Sequence, residues 1–394
     1  MKAFKITKNV YWVGAIDRGI KDFHGYLTKK GTTYNAYLVM ADKPVLIDTV
    51  KRPFMDEMLA RIASVIEPSK IKYIVSNHSE MDHSGSLPEV IGLIKPEKVL
   101  ASAMGVKALE DHFHSGHMVE AVANASTLDL GNMELKFFET RMLHWPDSMF
   151  TYLAADNILF SQDAFGMHLA SDERFADEVD EDVWRYEAKK YYANILLPYS
   201  SFVLKLIEQW PSLKLDVKFV APDHGPIWRD GGAKIIGLYK EWAEQRPSKK
   251  AVIIYDTMWG STAAMAAVVK EGLVAGGAEV KLMPLSSSHR SDVATEVLDA
   301  SALIAGSPTL NNGIFPTLAD VLTYLKGLRK KGLVGAAFGS FGWGGEAVPQ
   351  LNELLKAMNV QLVGDGVKVK YVPTTADLQR CKDLGTEVAK CLRK

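Results

Sequence analysis

Four residues with metal-binding side chains fall within six positions of this chain: His78, Glu80, Asp82 and His83, in the segment HSEMDH. Imidazole together with carboxylate suits zinc, iron or manganese, whereas a calcium site would seldom use so much histidine. Three more candidates stand where β-like runs end: His144 in MLHWPDS, Asp163 in FSQDAFG and His224 in APDHGP. One ion needs three or four protein ligands, so seven converging ligands imply two ions, and a carboxylate such as Asp163 can bridge them with its two oxygens. Each histidine alone would pass for an ordinary surface or core residue; the set argues for a two-metal site. The only cysteines, Cys381 and Cys391, are too few for a zinc ribbon or a four-cysteine iron site, so any metal here must use His, Asp and Glu.

A second group of residues suits an anion. Thr257, Met258, Trp259, Gly260, Ser261 and Thr262 follow the apolar run AVIIYD and open a helical pattern. Hydroxyl groups and backbone N–H groups at a helix N-terminus form a phosphate site. The segment is neither G-x-G-x-x-G nor the Gly-Lys-Ser/Thr of an ATP-binding loop. Two further loops are expected on the same sheet edge: Ser307, Pro308, Thr309, Asn311 and Gly313, then Ser340, Phe341, Gly342, Trp343 and Gly344. Their glycines let backbone N–H groups approach the edge of a planar ligand, while Trp259 and Trp343 either flank such a ligand or pack in the protein.

The elements that must position these residues come in two styles. Up to the charged stretch EQRPSKK, short β-like runs such as YNAYLVM, PVLIDT, IKYIVSN, MELKFFET, TYLAA and ILFSQ alternate with helices, and AADN between the last two reads as a hairpin turn. Helical periodicity covers Phe54–Ile66 and Asp182–Trp210, the latter broken near Pro198. Asp82 and His83 are adjacent, so they are expected on a loop at the end of a strand, since neither a strand nor a helix would point both at one spot. Beyond the stretch, five apolar strands alternate with helices near 261–275, 291–300, 316–328, 346–358 and 375–392, the rhythm of a doubly wound parallel sheet. The domains expected are 1–248, a layered αβ domain, and 249–394.

The segment HSEMDH, the later histidines and aspartate, and DHG resemble the metallo-β-lactamase fold, an αββα sandwich whose hydrolases carry His-x-His-x-Asp-His. Glu80 replaces the second histidine. An added anionic oxygen donor favours higher metal oxidation states, which zinc hydrolysis does not need. The change matches the flavodiiron proteins, whose motif is His-x-Glu-x-Asp-His, and the phosphate-loop segment resembles the T-x-x-G-[ST]-T loop of flavodoxins. The resemblance covers nearly the whole chain. It implies two non-haem irons, with His78, Glu80 and His144 on one, Asp82, His83 and His224 on the other, and Asp163 bridging; some members leave the His83 position uncoordinated. It also implies FMN in the three loops, and His24 and Tyr192 lining the diiron pocket as proton sources. The family passes electrons from a donor, usually a small acidic rubredoxin, through FMN to the irons. It reduces O2 to water, NO to N2O, or both, and residues read here do not choose between the gases. A head-to-tail homodimer, or a dimer of such dimers, is expected, bringing one subunit's flavin to the other's irons. The competing reading is a dizinc, thioesterase-like hydrolase fused to a flavodoxin domain. A pure electron carrier is disfavoured because all seven ligand positions are filled.

Composition agrees with a globular protein. The chain has 394 residues, 47% hydrophobic and 24% charged, and a formal net charge of −1, which excludes a broadly basic nucleic-acid binder. No apolar run approaches a membrane span, MKAFKITKNV reads as a strand entry, and a cytoplasmic location is expected. From Lys249 onward there are 17 Lys and Arg against 13 Asp and Glu, and Arg329, Lys330 and Lys331 form the densest basic cluster, a candidate face for an acidic partner. His112, His114 and His117 mimic a metal cluster by spacing, but they lie outside the resemblance.

Overall fold

The structure, a computed structural model, describes residues 1–114 and 118–392; His117 lies outside them. By their contacts these residues form two compact units. The first is Met1–His24, Thr28–Tyr191 and Tyr199–Lys240; the second is Gly25–Leu27, Tyr192–Pro198 and the chain from Glu241 onward.

The first unit is an αββα sandwich. Seven strands, in the order Phe4–Lys5, Val10–Trp12, Tyr37–Val39, Val45–Ile47, Tyr73–Ser76, Lys98–Ser102 and Glu120–Val122, make one sheet. Thr127–Asp129, Glu134–Glu139, Met149–Leu153, Ile158–Gln162 and Phe219–Pro222 make the other. Alternation along each strand divides the core in two. Tyr37, Val39, Val45, Ile47 and Val75 meet Phe137, Met149 and Phe160 of the facing sheet. Leu38, Leu46, Ile74 and Ala101 point the other way, onto Met58 and Ile62 of helix Met55–Ala63 and Leu87, Val90 and Ile94 of helix Leu87–Ile94. Both layers are continuous, so the strand ends that carry the metal-binding residues stand on a rigid base.

The second unit is a parallel sheet in the order Glu279–Pro284, Lys250–Tyr255, Ala302–Gly306, Val334–Phe341, with Gln361–Leu362 and Val367–Lys370 both pairing the last of these. The crossover helices are Ser261–Ala275, Arg290–Val297, Pro316–Leu328, Ala347–Ala357 and Thr375–Cys391, each within a few residues of its expected span. This strand order is that of the flavodoxin-like doubly wound fold, whose ligand crevice opens at the carboxyl ends of the strands. Helices Ser261–Ala275 and Thr375–Cys391 touch through glycine: a Cβ on Gly385 would stand 2.2 Å from the Val269 carbonyl oxygen.

Three expectations change. Asp82 and His83 sit on a helical turn, Met81–Ser84, not on an open loop. Neighbours on a helix diverge by about 100°, yet the short carboxylate and the longer imidazole still converge, with Asp82 Oδ2 and His83 Nε2 3.4 Å apart. The break in Asp182–Trp210 comes before Pro198: helix Glu181–Tyr191 runs into a π turn, Tyr192–Leu196, then a 3-10 turn, Leu197–Tyr199, before helix Ser200–Gln209. The basic cluster is the third. Lys330 is only 8% exposed, and all three residues precede strand Val334–Phe341, at the opposite end of the sheet from the three loops.

Candidate metal centre and phosphate-loop cavity

Strand Tyr73–Ser76 delivers His78 through a clamp on its neighbour: Asn77 donates from its backbone N–H to Asp48 Oδ1 (2.6 Å) and from Nδ2 to Asp48 Oδ2 (2.8 Å), and accepts from Thr151 Oγ1 (2.6 Å). His78 Nε2 then lies 3.4 Å from Glu80 Oε2 and 3.4 Å from Asp163 Oδ2. His144 Nε2 reaches the same two oxygens, at 3.3 and 2.9 Å. On the other side, His83 Nε2 is 3.1 Å from Asp163 Oδ1, and His224 Nε2 is 3.1 Å from Asp82 Oδ2 and 3.5 Å from Asp163 Oδ1. All seven expected metal residues thus come together as two sets, His78–Glu80–His144–Asp163 and Asp82–His83–His224, each with its donor atoms within 4.8 Å of one another. Asp163 turns one oxygen to each set, as a bridging carboxylate must.

The electrostatics call for cations. Both oxygens of Asp82, both nitrogens of His83 and Asp163 Oδ1 are buried without a hydrogen bond. Burying such groups is costly unless a charge compensates. Burial lowers the affinity of His83 for a proton, but Asp82, Asp163 and Asp223 overcome it and push its pKa up to about 10. His78 and His144 are raised in the same way, by Asp147 and Glu80 and by Asp163 and Glu80 respectively, against burial. Glu80 and Asp163 are held below the usual carboxylate range by the neighbouring imidazoles, which outweigh burial. In the protein alone protons supply the missing charge; metal ions displace them. The donor set, four imidazoles and three carboxylates, fits two divalent ions of the iron type.

Several residues escaped sequence reasoning. Asp147 accepts from Ser79 N–H (2.6 Å) and sits 3.1 Å from His78 Nδ1, while Asp223 sits 3.6 Å from His83 Nδ1. Carboxylates of this kind fix the tautomer and the aim of a ligating imidazole. His224 Nδ1 faces the Thr33 carbonyl at 2.5 Å. Trp145 packs edge-on to His78 and His144, at 5.1 and 6.0 Å, and His112 stacks on it at 6.4 Å; neither His112 nor His114 joins a metal-binding group among the described residues. His168 is buried against Phe23, Tyr191 and His224. The D-H and W-P-D segments flanking the ligands were a usable signal for Asp223 and Asp147; nothing local marked His168.

Of the two residues expected to line the pocket, His24 is there. Its side chain is 79% exposed with Nε2 3.9 Å from Glu80 Oε1, at the mouth of the cluster. The Tyr192 ring packs on Trp242 at 5.4 Å. Tyr191 stands beside the cluster, 5.0 Å from His168 and 6.1 Å from His224 between ring centres. The π turn begins at Tyr192 and changes the rotation of everything after Tyr191.

In the second unit the three loops surround a cavity of about 730 Å3. Met258, Trp259, Ser261, Pro308, Thr309, Asn311, Ser340, Phe341, Gly342, Trp343 and Gly344 line it, with Leu310 and Asn312 of the second loop and with Tyr371 and Val372, which the sequence had not suggested. The other five expected residues shape the loops. Thr257 Oγ1 accepts from Gly260 N–H (3.1 Å), and Gly260 caps helix Ser261–Ala275 at φ 88°, where only glycine is unstrained. Thr262 Oγ1 meets Ser340 Oγ at 2.9 Å, Ser307 Oγ accepts from Phe315 N–H at 2.9 Å, and Gly313 N–H donates to Leu310 O. Trp259 and Trp343, 94% and 88% exposed, are rim residues and not core packing.

The sequence profile described as ODP family beta lactamase matches residues 32–225, and that of flavodoxin matches 253–385. The chain is 46% identical to a nitric oxide reductase of Moorella thermoacetica over 98% of its own length and 97% of that protein's. It superposes on the structure of rubredoxin oxygen:oxidoreductase from Desulfovibrio gigas with a TM-score of 0.97 and 46% identity, covering 100% of this chain and 99% of that one. On the flavodiiron protein from Giardia intestinalis the TM-score is 0.95 with 35% identity, covering 100% and 97%. With a divided seven-residue metal cluster and a flavodoxin cavity in one polypeptide, the chain belongs to the flavodiiron proteins.

Proposed function

We propose that this chain takes electrons from a protein donor through FMN to a non-haem diiron site and reduces O2, NO or both. The observation that carries the reading is Asp163, whose two oxygens serve two ligand sets in a chain that also builds a flavin cavity. His78, Glu80 and His144 would hold one iron, Asp82, His83 and His224 the other, and Asp163 would bridge. When bound, a ferrous pair supplies two electrons to a diatomic molecule, and FMN relays electrons singly or in pairs.

The chain's own residues do the rest. Glu80 supplies the anionic donor that favours iron over zinc, which weighs against the dizinc hydrolase. His24, at the mouth, presents Nε2 beside Glu80 and can bring protons from solvent. Tyr191 keeps its phenol proton, because burial and then the charge of Asp163 raise its pKa well above the ordinary value. Phe23, Tyr191 and Trp145 supply apolar walls that limit water. The phosphate of FMN would sit on the N-terminus of helix Ser261–Ala275, with Trp259, Trp343 and Tyr371 around the ring.

The functional domains are 1–248 and 249–394, the seam lying between helix Ala233–Glu244 and strand Lys250–Tyr255. The exposed rim of Trp259, Trp343, Tyr371 and Val372 gives a second copy an apolar surface beside the flavin, as a head-to-tail dimer, or a dimer of dimers, requires. Among the described residues no helix is long and apolar enough to cross a membrane, and Cys381 and Cys391 form no disulfide, in keeping with a reducing cytoplasm.

The donor is a small acidic rubredoxin, and its docking face shifts from Arg329–Lys331 to the flavin edge. Lys368 and Lys370 are exposed on the outer strand Val367–Lys370, which runs straight into Tyr371 and Val372 of the cavity rim. The double variant Lys368→Glu, Lys370→Glu is expected to raise the KM for reduced rubredoxin about tenfold and flatten its salt dependence. Gas consumption by photoreduced protein should stay as it was; an unchanged KM moves the docking face elsewhere.

The whole reading is tested by metal and flavin analysis of natively purified protein, followed by anaerobic photoreduction and electrode measurement of O2 and NO side by side. Two irons and one FMN per chain, with consumption of at least one gas, are expected. Zinc without iron, or no consumption of either gas, overturns it.

A further inference from the structure

Two short segments that belong by their contacts to the second unit interrupt the sequence of the first: Gly25–Leu27 and Tyr192–Pro198. The residue immediately before each is one of the two non-ligand side chains just described at the metal cluster, His24 and Tyr191.

Helix Arg290–Val297 holds both segments, and helix Pro316–Leu328 holds the second. Leu27 N–H donates to Ser291 Oγ at 3.2 Å, and Arg290 Nε donates to Gly25 O at 3.3 Å while its guanidinium pairs with Asp320. Asn194 Nδ2 donates to the Ser291 carbonyl at 3.1 Å, and Tyr324 Oη donates to Asn194 Oδ1 at 2.7 Å. Ser291 is fully buried and Asn194 is 9% exposed. Ser291 therefore holds one segment with its side chain and the other with its backbone. The helix that bears Tyr324 is itself tied to the flavin loops: Phe315 N–H donates to Ser307 Oγ, and Thr317 Oγ1 donates at 2.7 Å to Asp256, next to the phosphate loop.

Both anchored segments are conformationally special. His24 and Gly25 have φ of 55° and 82°, the left-handed region, which surrounding contacts must hold for a histidine. Tyr192–Leu196 is a π turn, poorer in hydrogen-bond geometry than an α-helix, and it begins at the residue after Tyr191.

We propose that Ser291, Asn194 and Tyr324 form a clamp on the segments Gly25–Leu27 and Tyr192–Pro198 that fixes the backbone next to His24 and Tyr191, and with it the aim of these two side chains. The proposal rests on the reading of the cluster as a diiron gas reductase. None of the three residues touches the reacting atoms; they are positioning residues, and the effect passes along one residue of chain on each side.

The test uses iron- and FMN-loaded protein carrying Tyr324→Phe or Ser291→Ala, with Thr323→Ala, an exposed position on the same helix, as control. Azide binding to the oxidised protein is followed by its optical change, KM for O2 is separated from kcat, and hydrogen exchange is read for the peptides around 22–28 and 188–198. Loss of one hydrogen bond corresponds to about a fivefold change in an equilibrium. Azide affinity and KM are therefore expected to shift about threefold to tenfold in both variants, with exchange accelerated in both peptides while iron and FMN contents stay constant. The control should match wild type. Faster exchange with unchanged azide affinity and KM reduces the clamp to a purely structural contact and overturns the proposal. Wild-type protein that contains no iron, measured first, overturns the function beneath it, so the two failures are told apart.

Discussion

Replacing Asp163 by alanine is expected to strip iron from both positions and abolish gas reduction while leaving FMN in place. Asp163 is the one side chain that faces both ligand sets, with His144 and His78 on one oxygen and His83 and His224 on the other. Its removal takes a ligand from each metal and one of the few charges that balances the four imidazoles, three of them buried. Loss of a metal site withdraws several kcal/mol of stabilisation from the reaction, so turnover should fall at least about a thousandfold. The residue is 1% exposed, and its deletion leaves a polar hole rather than an apolar cavity, which water can occupy. Iron analysis, the flavin absorption band and gas electrodes check the three parts separately. Asp163→Asn keeps the volume but loses the anion, and should retain partial iron. Two irons per chain in the alanine variant would remove Asp163 from the bridge.

How much of this was legible beforehand differs between the two halves of the problem. The ligands were legible because metal chemistry restricts residue type: few roles other than metal binding use His78, Glu80, Asp82 and His83 in six positions, and Asp163 and His224 each close a strand. The flavodoxin-like sheet was legible because buried parallel strands are near-continuous apolar runs, and their helices could be delimited to a few residues. What could not be read was rotation. Tyr191 and Tyr192 are identical in type, and only the π turn decides which of them faces His224 and which faces Trp242. Asp82 and His83 were assigned to a loop because ideal helical geometry sends neighbours apart, yet side chains of different length meet from a single turn. Asp147 and Asp223 act on the metals only through imidazoles, at sequence separations of 69 residues from His78 and 140 from His83; no local pattern encodes such a pairing. Lys330 shows the same limit for charge: a basic triplet in sequence placed its middle member under the surface, because burial, not composition, decides whether a charge reaches a partner. That burial lowers its pKa to about 8.

Ser261→Asp should produce the opposite phenotype to Asp163→Ala: full iron, no flavin. Ser261 is the first residue of helix Ser261–Ala275 and lines the cavity, with Gly260 in the left-handed conformation before it. An aspartate in the first turn of a helix is favourable for the folded chain, since it meets the positive end of the helix dipole. The same carboxylate stands where the FMN phosphate must sit. Two unit charges about 4 Å apart repel by roughly 4 kcal/mol in surroundings of intermediate polarity, enough to weaken FMN binding at least about a hundredfold. Protein purified from this variant is therefore expected to lack the flavin band, keep two irons per chain, and melt no lower than the flavin-free wild type. Reduction of O2 or NO with a rubredoxin donor should fall in proportion to the flavin lost, while a small chemical reductant that reaches the metal centre directly should restore part of it. Ser261→Thr, which keeps the hydroxyl, serves as the conservative control and should hold FMN. If the aspartate variant retains flavin at wild-type affinity, the phosphate does not lie at this helix end, and the cavity formed by the three loops takes its ligand in another orientation. If flavin is lost but turnover with the protein donor persists, electrons reach the irons by a route that bypasses FMN, and the role given to the second domain fails.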